Sequence, residues 1–136
     1  MAFRSPLACV ALVAFGSIAL LGCYDRGPKL PPTVSVSGSV TLNGQPLPRA
    51  LITFSPVEPG PASSGQVLDG QIVELRSNGM KSGVVIGEHR VTIYDEDVES
   101  GSVDVVPNRY GSLDTAILAT VTEEGPNEFA FALERK

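Results

Sequence analysis

Tryptophan is missing from this chain of 136 residues, histidine occurs once and cysteine twice. With His89 as the sole imidazole, a site built on several histidines is excluded, and a serine or cysteine nucleophile has one histidine base to draw on. Basic residues are also scarce, 10 Lys and Arg against 15 Asp and Glu, for a formal net charge of −5. An acidic balance argues against nucleic acid and against electrostatic attraction to anionic lipid headgroups. Repeats and low-complexity tracts are absent. Ser63-Ser64-Gly65 and Ser100-Gly101-Ser102 read as flexible turns rather than a strained nucleophile elbow, and no Gly-rich phosphate loop follows a strand. The carboxylates gather in one loop instead of facing each other across a cleft. Tyr94 and Tyr110 read as packing residues at strand ends rather than a sugar-stacking platform. The expectation is a protein that is not an enzyme. A hydrolase, which needs several catalytic side chains to converge, ranks last.

Only one long apolar run is present, and it opens the chain. Met1 to Ser5 carries Arg4 as its single charge, and Leu7 to Leu21 carries none. A basic start, a short apolar stretch and small residues at its end describe a secretory signal, and the run is short for a ~30 Å hydrocarbon core. It ends in Leu20-Leu21-Gly22-Cys23. This tetrad resembles the lipobox of bacterial lipoproteins. The resemblance implies a diacylglyceryl thioether on Cys23, cleavage before it and acylation of the new amine, palmitate being a typical chain. The expected division is a signal peptide at 1–22, a lipidated cysteine and extended tether at 23–33, and a domain at 34–135. Tyr24 rather than Asp follows the cysteine, which by the sorting rule of some Gram-negative lipoproteins resembles an outer-membrane address. Removing residues 1–22 takes Arg4 and Cys9, leaving 9 basic and 15 acidic residues, a net charge of −6. The mature domain then has no free thiol, so disulfides and cysteine metal sites are excluded.

From Val34 onward the pattern has period two. Val34, Val36, Gly38, Val40 and Leu42 share one parity; Ala50, Ile52 and Phe54 repeat it, then Val91 and Ile93, then Thr115, Ile117, Ala119 and Val121, then Phe129, Phe131 and Leu133. Asn43-Gly44 and Asp69-Gly70 are hairpin signals, because both residues of each pair tolerate positive φ. Short strands at regular spacing with turns between them predict an all-β, immunoglobulin-like or transthyretin-like antiparallel β-sandwich of about seven strands, preceded by a helical signal peptide.

Val36-Ser37-Gly38-Ser39-Val40-Thr41-Leu42-Asn43-Gly44-Gln45-Pro46-Leu47-Pro48-Arg49-Ala50 resembles the opening of the carboxypeptidase regulatory-like, or transthyretin-like, domain. Asp69-Gly70, Gly87 to Ile93, Pro107-Asn108-Arg109-Tyr110 and Asn127-Glu128-Phe129 fall where short bacterial lipoproteins of that type carry them. These motifs specify a fold and license no activity. The family commonly has tyrosine where this chain has His89. By parity His89 leans inward, so it reads as a packed, hydrogen-bonded substitute rather than a metal ligand or a pH sensor.

Asp95-Glu96-Asp97-Val98-Glu99-Ser100-Gly101, with Asp104 beyond, is the one cluster with metal chemistry in it. Oxygens at 95, 97 and 99 resemble the start of a calcium loop. The EF-hand pattern fails, since its glycine belongs at position 100, its twelfth-position Glu is missing and no helices flank the loop. A solvated loop is the preferred reading, with no cofactor beyond the lipid. The expectation is a lipid-anchored, non-catalytic envelope domain with a structural role or a contact to another envelope protein. The alternative is a ligand- or Ca²⁺-binding module using Asp95, Asp97, Glu99 and Asp104.

Overall fold

A computed structural model describes residues 30–96 and 105–135. In chain order the strands are β1 (Thr33–Val34), β2 (Ser37–Leu42), β3 (Gln45–Pro46), β4 (Arg49–Pro56), β5 (Ser63–Leu68), β6 (Gln71–Ser77), β7 (Lys81–Ser82), β8 (Val84–Val85), β9 (Gly87–Tyr94), β10 (Ile117–Val121) and β11 (Glu128–Leu133). Two single-turn 3₁₀ helices, Asn108–Gly111 and Leu113–Thr115, lie between β9 and β10. The described residues adopt the predicted all-β class; the expected helical signal peptide at 1–22 lies outside them.

β4 is an interior strand of the sheet. Its even-numbered residues Ala50, Ile52 and Phe54 are fully buried, as the period-two pattern requires. On one side β4 pairs with β9, Ile52 opposite Ile93 and Phe54 opposite Val91. On the other it pairs with β5, Ala50 opposite Val67 and Phe54 opposite Ser63. Seven strands follow one hydrogen-bonded path, β10-β9-β4-β5-β6-β2-β11, with β3 folded back on β2 and β7 on β6; β1 and β8 form a separate ribbon. The path curls into a half-barrel. Phe129 and Phe131 on its last strand therefore reach Phe54 on its third, their ring centroids 6.1 and 6.3 Å from that of Phe54. Each fully buried Leu, Ile or Phe of this interior contributes roughly 1.5–3 kcal/mol relative to exposure.

Two devices bend the sheet. Between β5 and β6 the register slips, so that Glu74 and Leu75 together face Gly65. This is a bulge, and Glu74 takes its left-handed position at φ +56°. A Cβ on Gly65 would lie 2.7 Å from the Val73 carbonyl oxygen, so the bulge demands glycine there. At the next step β6 and β2 share one bridge, Ser39 with Gln71, which makes the corner.

The expected sandwich was antiparallel throughout, and one pair corrects it. β11 lies along β2 in parallel, from Glu128 opposite Ser37 to Leu133 opposite Leu42. Both strands begin at the same end of the barrel, so the pairing follows from where the chain returns. Gly38 lets them approach: a Cβ there would run into the Phe129 carbonyl. Three smaller expectations also shift. Asn43-Gly44 turns the chain into two-residue β3, ahead of the strand that carries Ala50, Ile52 and Phe54. Residues 33–42 are split between β1 and β2 at Ser35 and Val36. Thr115 closes a 3₁₀ turn rather than opening a strand.

Strand directions define two poles. β4, β6 and β10 end, and β2, β5, β9 and β11 begin, at the pole where Leu30 to Thr33 joins the domain. The far pole carries the Asp69-Gly70 turn, Asp95 and the C-terminal Glu134.

Candidate functional site

His89 is fully buried on β9, on the inward parity expected of it. Its Nε2–H donates to the Val85 carbonyl at 2.6 Å, and its ring meets Phe54 edge-on at 6.0 Å. The imidazole thus ties the β7–β8 strap to the sheet above it. Nδ1 has no protein partner among the described residues, and neither have the buried hydroxyls of Ser63 and Ser77, which sit opposite each other on β5 and β6. The Val85 bond and the Phe54 contact are those of a packing and bonding residue.

Asp95 follows directly after β9. Its carboxylate accepts the backbone N–H of Val105 at 3.1 Å and that of Val106 at 3.2 and 3.3 Å. Those bonds close the neck of the acidic loop and seat Val106, 3 % exposed, in the core. Asp95 is engaged with backbone, and Glu96 pairs with Arg49 at 2.8 Å on the surface. An exposed pair of this kind is worth at most about 1 kcal/mol. Asp97, Glu99 and Asp104, the other weak metal candidates, lie outside the described residues, as does Cys23. Among the described residues no three His, Cys, Asp or Glu side chains converge on a point that would hold a metal ion.

The open seam of the half-barrel, between β10 and β11, is fastened at both ends. At the tether pole Asn127, nearly buried, takes the Thr122 N–H and gives its Nδ2–H to the Thr122 carbonyl, each at 2.9 Å. At the far pole the Tyr110 hydroxyl accepts the Glu134 N–H at 2.8 Å, and Arg109 bonds the Glu134 carbonyl while lying over the Tyr110 ring at 4.7 Å. Both clasps fall inside motifs that carry the family resemblance, Asn127-Glu128-Phe129 and Pro107 to Tyr110. Their bonding roles were not read from sequence, where only their order along the chain was informative.

The surface hollows are shallow. One of about 280 Å³ at the far pole is lined by Tyr94, Asp95, Val106, Asn108 and Ser112; its carboxylate is the one already bonded to backbone. Another, of about 330 Å³, lies on the outer face of β9 and β10, where Val57, Leu113 and Leu118 are exposed beside Glu88, Arg90 and Asp114. Among the described residues no helix is long and apolar enough to cross a membrane. No protein-family profile matches the chain, and neither curated proteins nor solved structures give a match.

Proposed function

We propose that this chain is a lipid-anchored, non-catalytic β-sandwich of the bacterial cell envelope, with a structural role or a contact to another envelope protein. One observation carries the reading: an uncharged apolar run ends at Leu20-Leu21-Gly22-Cys23, and the first strand of the folded domain, Thr33–Val34, begins ten residues later. The thiol at that place is the nucleophile that lipidation needs. Two or three acyl chains then give lasting attachment, at ~0.8 kcal/mol per buried methylene, where one chain would not.

The state of the polar residues supports the non-catalytic part. His89, Asp95, Asn127 and Tyr110 hold strands, straps and loops in place. The seven-strand path supports reading the domain as an immunoglobulin-like or transthyretin-like sandwich. Tyr24 favours the outer membrane. A partner would meet an exposed sheet edge or the apolar outer face of β9 and β10, modes that suit such folds.

Mass spectrometry of the mature amino terminus tests this directly. The expected first residue is Cys23 with a diacylglyceryl thioether and an acylated amine, and Cys23→Ala should leave the signal uncleaved. An unmodified terminus in the soluble fraction would overturn the reading. Crosslinking in intact cells then identifies what the domain touches.

A further inference from the structure

We infer that the domain rests on the bilayer through one defined patch, Met80, Lys81 and Ile86 at the tether pole, so that the far pole faces away from the membrane. The inference depends on the lipid anchor proposed above and adds to it an orientation and a contact surface.

The tether leads to this patch. Leu30 to Pro32 runs into β1, and β1 pairs with β8, Thr33 opposite Val85 and Val34 opposite Val84. Thr33 Oγ1 donates to the Ser82 carbonyl at 2.7 Å, and the Lys81 ammonium donates to the Pro31 carbonyl at 3.4 Å. The end of the tether is thus bonded to the strap formed by residues 81–85. At either end of this strap stands an apolar side chain turned to solvent. Met80, at the tip of the β6–β7 hairpin, is 56 % exposed, and Ile86, just before β9, is 39 % exposed. Met80 occupies a turn built on Asn78-Gly79, both at positive φ, where any polar residue would fit.

Chain length makes the bilayer the occupant. Leu30 stands seven residue steps after Cys23, which span at most about 25 Å. A lipid anchor on Cys23 keeps Leu30 within that reach of the surface permanently, and the strap bonded to the tether's end stays close behind it. Weak apolar contacts then act at the high effective concentration of a short tether. A long flexible thioether and a branched alkyl side chain suit the headgroup boundary, and Lys81 between them can snorkel toward phosphate. Glu58, Glu123 and Glu124 occupy loops at the same pole. They confine the contact to the strap and favour a zwitterionic surface over an anionic one.

The test uses the mature, lipidated chain reconstituted in phosphatidylcholine vesicles. Cys23 is blocked as a thioether, so one introduced cysteine labels uniquely. Met80→Cys reports on the patch, and Gln45→Cys on exposed β3 reports on the far pole. Each carries an environment-sensitive fluorophore, quenched in turn by nitroxide lipids and by aqueous iodide. The expected result is a Met80 probe quenched several-fold more by nitroxide lipid than the Gln45 probe, with the reverse order for iodide. If the protein floats with the vesicles but both probes respond alike, the orientation is wrong and the anchor stands. A Met80 probe shielded from both quenchers means that protein covers the patch, which also overturns the inference. A chain that fails to float at all refutes the anchor itself.

Discussion

Asn127 stands to Thr122 as a neighbouring strand would, accepting its N–H and donating to its carbonyl at 2.9 Å each. The clasp sits where β10 ends and the chain turns toward β11, so a side chain continues the ladder that backbone abandons. Asn127→Ala strands both Thr122 groups in a part-buried place and should cost about 1–3 kcal/mol. For a domain of this size that is roughly 4–8 °C of melting temperature per kcal/mol. Asn127→Asp keeps the acceptor and loses the donor, so it should fall between. Thermal melts followed by circular dichroism check both, and an alanine variant melting with the parent would show the clasp to be incidental.

His89 predicts a graded loss. His89→Ala removes the ring from Phe54 and leaves the Val85 carbonyl unpaired, an expected cost of about 2–5 kcal/mol. His89→Phe restores packing but not the bond, so it should recover part of that loss. Denaturant unfolding measures both differences. Imidazole nitrogen chemical shifts should show the proton on Nε2, as a donor to a carbonyl must carry it. If alanine and phenylalanine cost the same, the ring's packing contributes nothing.

These residues mark how far the sequence could be read. Ala50, Ile52 and Phe54, or Val91 and Ile93, announce themselves because a strand buried on one face repeats every two residues. Asn43-Gly44 and Asp69-Gly70 do so because positive φ favours few residue types, and the structure places all four there. Local chemistry was therefore legible. Pairings decided by distant parts of the chain were not, such as β11 beside β2, where residues some 90 positions apart become neighbours. Parity placed His89 inside, but no local rule names Val85 as its acceptor. Asn127 in a Pro-Asn turn looks like any other turn residue until Thr122 is seen beside it.

Glu74 is the residue most at odds with its backbone. It holds the left-handed position of the β5–β6 bulge at φ +56°, where glycine is the usual occupant. An L side chain there costs roughly 1–2 kcal/mol, partly offset by the greater freedom glycine has when unfolded. Glu74 is exposed, so its carboxylate gives up no buried contact. Glu74→Gly should therefore stabilise the domain, by about 0.5–1 kcal/mol, and raise the denaturant midpoint without changing the slope. A lowered midpoint would mean that the glutamate makes a contact worth more than its strain.

Asp95 separates the loop's structural role from metal binding. Its carboxylate accepts the N–H groups of Val105 and Val106 and draws Val106 into the core. Asp95→Ala should lose about 1–3 kcal/mol and speed amide hydrogen exchange at Val105 and Val106 first, because those donors lose their acceptor. Asp95→Asn keeps one acceptor oxygen and should exchange at an intermediate rate. A calcium ion would have to compete with these backbone bonds for the same oxygens. Millimolar calcium is thus expected to leave the melting temperature unchanged, whereas a site filled a hundredfold above its Kd would add ~2.7 kcal/mol. A clear upward shift in the parent that vanishes in Asp95→Asn would assign the acidic loop to an ion instead.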